Sequence, residues 1–437
     1  MTKHISSVNS QPSRRHVMIG AAGLTFAIAI GAGTRARAAA LSGIRAGKAL
    51  SPWVSIAEDG TITLMSPATE MGQGSMTSLP LIIAEELDAD WQKVRIVPAP
   101  PNAAIYGNPG FGYAMMYTAG SNAVTSYYRP LRIFGAQVRR VLLDNAAKKW
   151  GVSVAELTTE PSVVLHAKSG RRLTYGEIAA FAEIPAAPPQ IKPEELKQPA
   201  QFRLIGKDVM RVELPSKVNG SATYGIDVQV PGMLYGAVLR APVEGSVPHK
   251  IDDTKAKALA GVTGVVRLPY GVGVVAETPW AAFAARQELS RSVTWTRTGT
   301  AWGFDSDQGI EQFAAQAKNL QGRASEWSRQ GDARDEFSKV ASILEAEYRC
   351  DYAYHAQMEP LNAVAAVSPG GDAVEIWAGT QSQTTAAETP AKFFTFPEGA
   401  AALQRFRSAR QSRRRLHHGR RHAVEGSRAP SQGDLDA

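Results

Sequence analysis

Two glycines flank Gln73 in the stretch TEMGQGSMT, residues 69–77. Glycine lets a backbone approach a ligand closely, and a helix start offers free N–H groups to an anion such as a phosphate. Gln73 adds a neutral donor and acceptor. The same tripeptide also serves as an ordinary strand-to-helix turn. A second glycine-rich stretch, YGNPGFGYAMMYTAGSNAV at 106–124, precedes a helical pattern. It is no dinucleotide fingerprint, because Met115 stands where the third glycine would follow Gly110 and Gly112, and the P-loop lysine is missing. It reads equally well as a long surface loop. In YAYHAQMEPLNAVA, residues 352–365, His355 and Glu359 have the spacing of a helical metal pair. Pro360 disfavours helix at Glu359. The stretch therefore reads as an irregular loop with a packed histidine and a structural glutamate. EIWAGTQSQ, residues 375–383, reads as a strand ending in polar residues beside a cleft.

The elements that would carry these motifs alternate irregularly, which favours α+β over a doubly wound sheet. WVSIAEDGTITLMSP, residues 53–67, predicts two strands around an Asp59-Gly60 turn. A helix is expected from about Leu79 to Leu87, then a strand at 94–97. Ile133, Val138, Val141 and Leu142 have helical spacing in a pattern that ends at Gly151. A hairpin and a short helix follow. The prolines of 184–199 predict a linker. Residues 218–242 read as strands bounded by Gly and Pro, and 261–289 as strand, strand and helix. No tandem repeat has a fixed period.

The 437 residues are enough for two or three domains, and the 44% hydrophobic, 20% charged composition is that of a globular protein. The net charge of +8 is carried by the ends: five basic residues and no acid precede Ala38, and nine arginines face three acids from Arg405 onward, so the body is left at −3. A nucleic-acid groove in that body is not expected. The single cysteine, Cys350, excludes an intramolecular disulfide framework and a four-cysteine cluster in this chain, and reads as a small buried hydrophobe. At the N-terminus, Ser13-Arg14-Arg15 precedes a mildly apolar run at 17–32, with A-x-A sites at Ala36-Arg37-Ala38 and Ala38-Ala39-Ala40. The run is short for a membrane span. The pattern predicts a twin-arginine export signal. That route carries folded proteins, so it predicts a bulky cofactor inserted before export.

Together the motifs resemble those of the xanthine dehydrogenase and aldehyde oxidase family. KVNGSATYGIDVQVPGMLYGAVLRAP, residues 217–242, is similar to the opening of its hammerhead domain. YHAQMEPLNAVA followed by WAGTQSQ is similar to the start of its molybdopterin-binding domain, and TEMGQGSMT to its pterin-contacting loop. In most relatives that loop lies late in the chain. Here it precedes the hammerhead, as in the branch of isoquinoline 1-oxidoreductase β-subunits and related membrane-associated aldehyde dehydrogenases. The resemblance covers residues 52–394. It implies a molybdenum–molybdopterin cofactor, in the cytosine dinucleotide form, with Gly72, Gln73 and Gly74 in contact with it and Tyr117, Thr118 and Gly120 as further contacts. It implies iron–sulfur clusters on a separate small [2Fe–2S] subunit rather than in this chain, and a cytochrome c as electron acceptor. The reaction it implies is hydroxylation beside a ring nitrogen, or oxidation of an aldehyde, with oxygen drawn from water and a glutamate as general base. The location it implies is periplasmic.

The resemblance divides the chain into a signal at 1–40, an N-terminal molybdopterin-binding segment at 41–183, a linker at 184–214, the hammerhead at 215–300 and the start of the molybdopterin-binding domain at 301–404. After the helix that opens as TTAAETPAKFFTF, the family's glycine-rich loop and the later segment with the glutamate base do not appear, so no catalytic residue is assigned. Residues 405–437 have many arginines and no apolar period. They read as a disordered tail translated out of frame, and the chain reads as inactive alone. The competing expectation is a catalytically dead module that binds partners.

Overall fold

The Asp59-Gly60 turn folds as the sequence predicts in the computed structural model. Gly60 takes φ +82°, and Asp59 Oδ1 accepts from Thr61 N at 2.8 Å. The structure describes residues 53–393 except 300, 320, 323–324, 326–327, 329, 355, 357 and 371–373, together with strand segments 23–25, 405–408 and 424–425. The chain forms two compact units. One holds residues up to Pro231 together with Ala363–Arg421, and the other holds Gly232–Asn362 with the last residues.

In the first unit, β1 (Val54–Ala57) pairs antiparallel with β2 (Ile62–Ser66), and β2 pairs parallel with β3 (Val94–Pro98). Alternate residues of β1 and β2 are buried, as a half-covered sheet requires. Two helices pack beside the sheet, α1 (Ser75–Leu87) and α2 (Ala123–Trp150). They approach most closely at Gly135, where a Cβ would lie 2.4 Å from Ile83 O and 2.8 Å from Glu86 Cβ. Trp53 is fully buried and stacks on Phe134 at 5.1 Å between ring centroids. Helix α2 ends at Gly151, φ +64°, as expected. Helix α1 starts four residues before the expected Leu79, because Glu70 reaches back to cap its first turn.

A small antiparallel sheet follows, with β4 (Leu157–Glu160), β5 (Val163–His166) and β6 (Arg171–Thr174). It leads into α3 (Tyr175–Ala179), where Thr174 and Glu177 form a capping box. The expected linker is strapped down. Glu85 Oε2 accepts from the amides of Leu204 at 2.6 Å and Ile205 at 3.0 Å, and Oε1 from Lys197 Nζ at 2.8 Å. Glu86 binds Arg132, and Asp88 binds Lys197 and Arg203.

In the second unit, β7 (Tyr235–Arg240) is the strand of the stretch 218–242 that reads as several; residues 218–231, in the first unit, hold a short 3-10 helix at Gly225–Asp227. Residues 261–289 follow the expected strand, strand, helix order. β8 (Pro248–Ile251) precedes β9 (Val262–Leu268), and β10 (Gly271–Ala276) lies between β9 and β7. Helix α4 (Pro279–Ser292) buries Ala282, Ala285 and Leu289, the last two in one core with Val272 and Val274. Thr278 caps it ahead of Pro279. β11 (Val293–Trp295) pairs with β8. Helix α5 (Ser306–Lys318) precedes a stretch with one short helix, Ala333–Phe337, in which Leu344, Tyr348 and Met358 are more than nine-tenths exposed. Cys350 lies in that stretch and is exposed, which corrects its reading as a buried hydrophobe. Among the described residues 338–354 no helix or strand folds the thiol inward, and composition alone carries no information on that.

Back in the first unit, β12 (Asn362–Val367) and β13 (Val374–Ala378) form a hairpin that leads into α6 (Gln383–Phe393). Two pieces of the tail expected to be disordered are extended: Arg405–Ser408 pairs parallel with β13, and Val424–Glu425 pairs parallel with β7. Main-chain hydrogen bonding at a strand edge needs no apolar period, so the tail's composition does not reveal it. The rest of the tail, residues 1–22 and His355 lie outside the described residues.

Candidate functional site

Three loops of the first unit meet at Thr118. Its backbone N–H donates to Gln381 O at 2.8 Å, and its carbonyl accepts from Gln381 Nε2 at 2.7 Å. Its hydroxyl Oγ1 accepts from Thr69 N at 3.0 Å. Thr69 Oγ1 in turn donates to Thr380 O at 2.7 Å, and Met116 N donates to Thr384 Oγ1 at 3.1 Å. Tyr117 bridges Ser382, and Asn108 Nδ2 holds Tyr117 O at 2.7 Å. The glycine-rich stretches at 69–77 and 106–124 and the TQSQ end of β13 therefore converge. Residues 352–361 belong to the second unit.

Gly72 and Gly74 have φ +108° and +86°, backbone that L side chains rarely adopt. A Cβ at Gly72 would meet nothing within 4 Å, so the loop's outer face is open. The α1 start is not the free anion seat that the sequence suggests. The amides of Gly72, Gly74 and Met76 all donate to the buried Glu70 carboxylate, at 2.7, 3.1 and 3.1 Å. A phosphate brought to the same amides would face this carboxylate at about 4 Å, a repulsion of about 4 kcal/mol at an effective dielectric of 20. Gln73 closes the loop on itself: Oε1 accepts from Met71 N at 2.7 Å, and Nε2 donates to Thr69 O and Ser75 Oγ. What the loop presents outward is the open Gly72 backbone.

Arg211 fixes the loop from far along the chain. It donates to Gly72 O at 3.0 Å, to Glu70 Oε1 at 3.1 Å and to Glu213 Oε1 at 2.7 Å. Burial works against ionisation of Glu213, but its hydrogen bonds and the charge of Arg211 outweigh this and hold its carboxyl below the usual range. In the second loop Gly120 has φ +64°, and a Cβ there would meet only Asn122 Nδ2, at 4.0 Å. Tyr113 and Ser121 beside it are also left-handed, at φ 62° and 54°. Non-glycine residues hold such backbone at a cost of about 1–3 kcal/mol, which points to a constrained functional loop. Burial pushes the Tyr106 and Tyr127 phenols up, so both stay neutral; Tyr127 donates to Tyr106 O at 2.6 Å.

A polar ligand fits these residues on two observations. The glycine faces are open, and buried Ser66 Oγ and Gln383 Oε1, next to the junction at Pro67, have no hydrogen-bond partner. Thr118, by contrast, spends its polar groups on other loops. Thr69, Glu70, Thr380, Gln381 and Gln383 lie within the quoted motifs, but Arg211 carries no local sequence signal for this site.

Residues 2–228 match a family model described as a molybdopterin cofactor-binding domain, and residues 314–404 match a second model of the same description. Among curated proteins, the beta chain of the isoquinoline 1-oxidoreductase of Brevundimonas diminuta is 36% identical over 85% of this chain and 52% of its own length. The membrane-bound aldehyde dehydrogenase (pyrroloquinoline-quinone) of Gluconacetobacter polyoxogenes is 32% identical over 81% of this chain and 45% of its own. One subunit of the nicotinate dehydrogenase of Pseudomonas putida is 29% identical over 76% of this chain and 27% of its own. The chain thus spans about half the length of these relatives, or less.

Proposed function

The chain belongs to the xanthine dehydrogenase and aldehyde oxidase family of molybdopterin-binding proteins, in its isoquinoline 1-oxidoreductase branch, and from that premise we propose that it is the molybdenum-cofactor subunit of a hydroxylase. Its substrate is an N-heteroaromatic such as isoquinoline, or an aldehyde, and water supplies the oxygen. The observation that carries this reading is the junction of three glycine- and threonine-rich loops around Thr118, with unsatisfied buried oxygens beside it.

When bound, the molybdenum–pterin supplies the redox chemistry, and the protein supplies binding, orientation and exclusion of water. Gly72, Gln73 and Gly74 offer the first loop's face to it, and Tyr117 and Gly120 the second loop's. Thr118 acts in this reading through the loops it ties. The cytosine dinucleotide form, a small [2Fe–2S] partner subunit and a cytochrome c acceptor belong to the same proposal. So do the hammerhead assignment of residues 215–300 and twin-arginine export to the periplasm, which would require the cofactor to be in place first.

The test is to produce the full chain in a host that makes the cofactor and to measure bound molybdenum and pterin. Dye-linked oxidation of isoquinoline and of an aldehyde is then assayed with the small iron–sulfur subunit present. About one molybdenum per chain is expected, whereas a metal-free chain under these conditions would overturn the proposal. The second reading, a partner-binding module without catalysis, is favoured by the exposure of Leu344, Tyr348 and Met358. It predicts a stable complex with a partner subunit and no molybdenum.

A further inference from the structure

We infer that Glu70 and Arg211 are positioning residues that hold the Gly72–Gly74 loop in shape before any ligand arrives, with the Glu70 carboxylate filling the anion seat of α1 from inside the chain. Glu70 Oε1 accepts from Gly72 N, Gly74 N and Arg211 Nη2, and Oε2 accepts from Met76 N. Hydrogen bonds to an ionised acceptor are about twice as strong as neutral ones. A side chain only 4% exposed, with four donors aimed at it, therefore fixes two left-handed glycines that would otherwise be the most flexible points of the loop. Arg211 closes the arrangement by pinning Gly72 O, while Glu213 holds the guanidinium in turn. Neither residue reaches outward from the loop. Both act through it.

The inference rests on the cofactor reading for its purpose, but its geometry can be tested without cofactor. Hydrogen exchange of the full chain is compared for wild type, Glu70→Ala, Glu70→Gln and Arg211→Lys, with and without sodium acetate, a carboxylate probe for the emptied seat. In Glu70→Ala the amides of Gly72, Gly74 and Met76 should exchange at least about tenfold faster, as expected for lost hydrogen bonds to a charged group. Acetate should slow them again, while amides in the middle of α2 stay unchanged. Glu70→Gln, which keeps one acceptor oxygen, should fall between wild type and Glu70→Ala, and Arg211→Lys should loosen Gly72 alone. Equal protection in Glu70→Ala and wild type, or no effect of acetate, overturns the inference. Molybdenum content supplies a separate readout. If wild type binds the metal and Glu70→Ala binds as much, the loop's shape does not serve the cofactor. If wild type binds none, the functional proposal fails, and the exchange data alone decide whether Glu70 positions the loop.

Discussion

Thr118 shows how one small side chain can tie three loops together. Removing only its hydroxyl, in Thr118→Val, keeps the volume but leaves the buried Thr69 amide without an acceptor. The cost should be about 1–3 kcal/mol, because an unpaired buried donor loses its full desolvation energy. Thr118→Ser, which keeps the oxygen, should recover most of it. Denaturant unfolding of the three proteins measures this, and equal stability of Val and Ser variants would mean that the hydroxyl does not tie the loops. At this scale the sequence is legible where chemistry is local. The glycines at 72, 74 and 120 stand where left-handed backbone is needed. The partners are not legible, since Thr118 meets Gln381 across 263 positions and Arg211 meets Glu70 across 141. No window of sequence spans such pairs. The intraloop bonds of Gln73 are not legible either: its amide ties Met71 N and Thr69 O within the loop that carries it.

The α1 and α2 pair makes the next argument, because helix propensity and packing pull in opposite directions at Gly135. Alanine is favoured over glycine in a helix interior by about 1 kcal/mol. A methyl here would stand 2.4 Å from Ile83 O and 2.8 Å from Glu86 Cβ, so the helices must move apart. Overpacking of this kind costs about 1–3 kcal/mol, so Gly135→Ala should destabilise the chain despite its better propensity. Calorimetry of the variant would show a lowered melting temperature, and a raised one would refute the packing argument. The strap over the same helix pair gives a pH dependence. Burial raises the Glu85 carboxyl, but Lys197 and the amides of Ile205, Leu204 and Arg203 outweigh it, so its folded pKa lies below the reference 4.5. Such a group stabilises the fold above its unfolded pKa and gives that up as pH falls through the folded value. Arg132, Arg139, Lys197 and Arg203 face Glu85, Glu86 and Asp88 here, so acid leaves a cationic cluster behind. Limited proteolysis within 184–207 should accelerate below pH 4.5, and in Glu85→Gln it should be faster already at neutral pH and rise less on acidification. Prolines mark this segment as a linker, and the buried Glu85, Glu86 and Asp88 together with Gln137 and Arg140 of α2 turn it into a strap.

Over the whole molecule, the compact unit that carries the site joins residues 363–384 to the first 231, although about 130 residues of the other unit intervene. Reading the chain as consecutive blocks follows composition and motif order, which record sequence distance. The hydrogen bonds of Thr69 to Thr380 and Pro67 to Gln383 record spatial distance. Charge is a different kind of evidence, since it adds up without regard to the fold. The basic ends and acidic body are legible from the sequence alone, and they make export testable by mass. If residues 1–38 are a twin-arginine signal, processing after Ala38 removes five positive charges and leaves the chain at +3 rather than +8. The periplasmic product should then start at Ala39, and Arg14→Lys combined with Arg15→Lys should leave the full +8 chain in the cytoplasm. Because Arg14 and Arg15 precede the first described strand, Gly23–Thr25, which pairs with β1, the double variant should melt at the same temperature as wild type purified from the cytoplasm. A loss of export with unchanged stability assigns the arginines to transport. Export that persists in the variant, or an N-terminus other than residue 39 or 41, would remove the twin-arginine reading and with it the argument that the cofactor is inserted first.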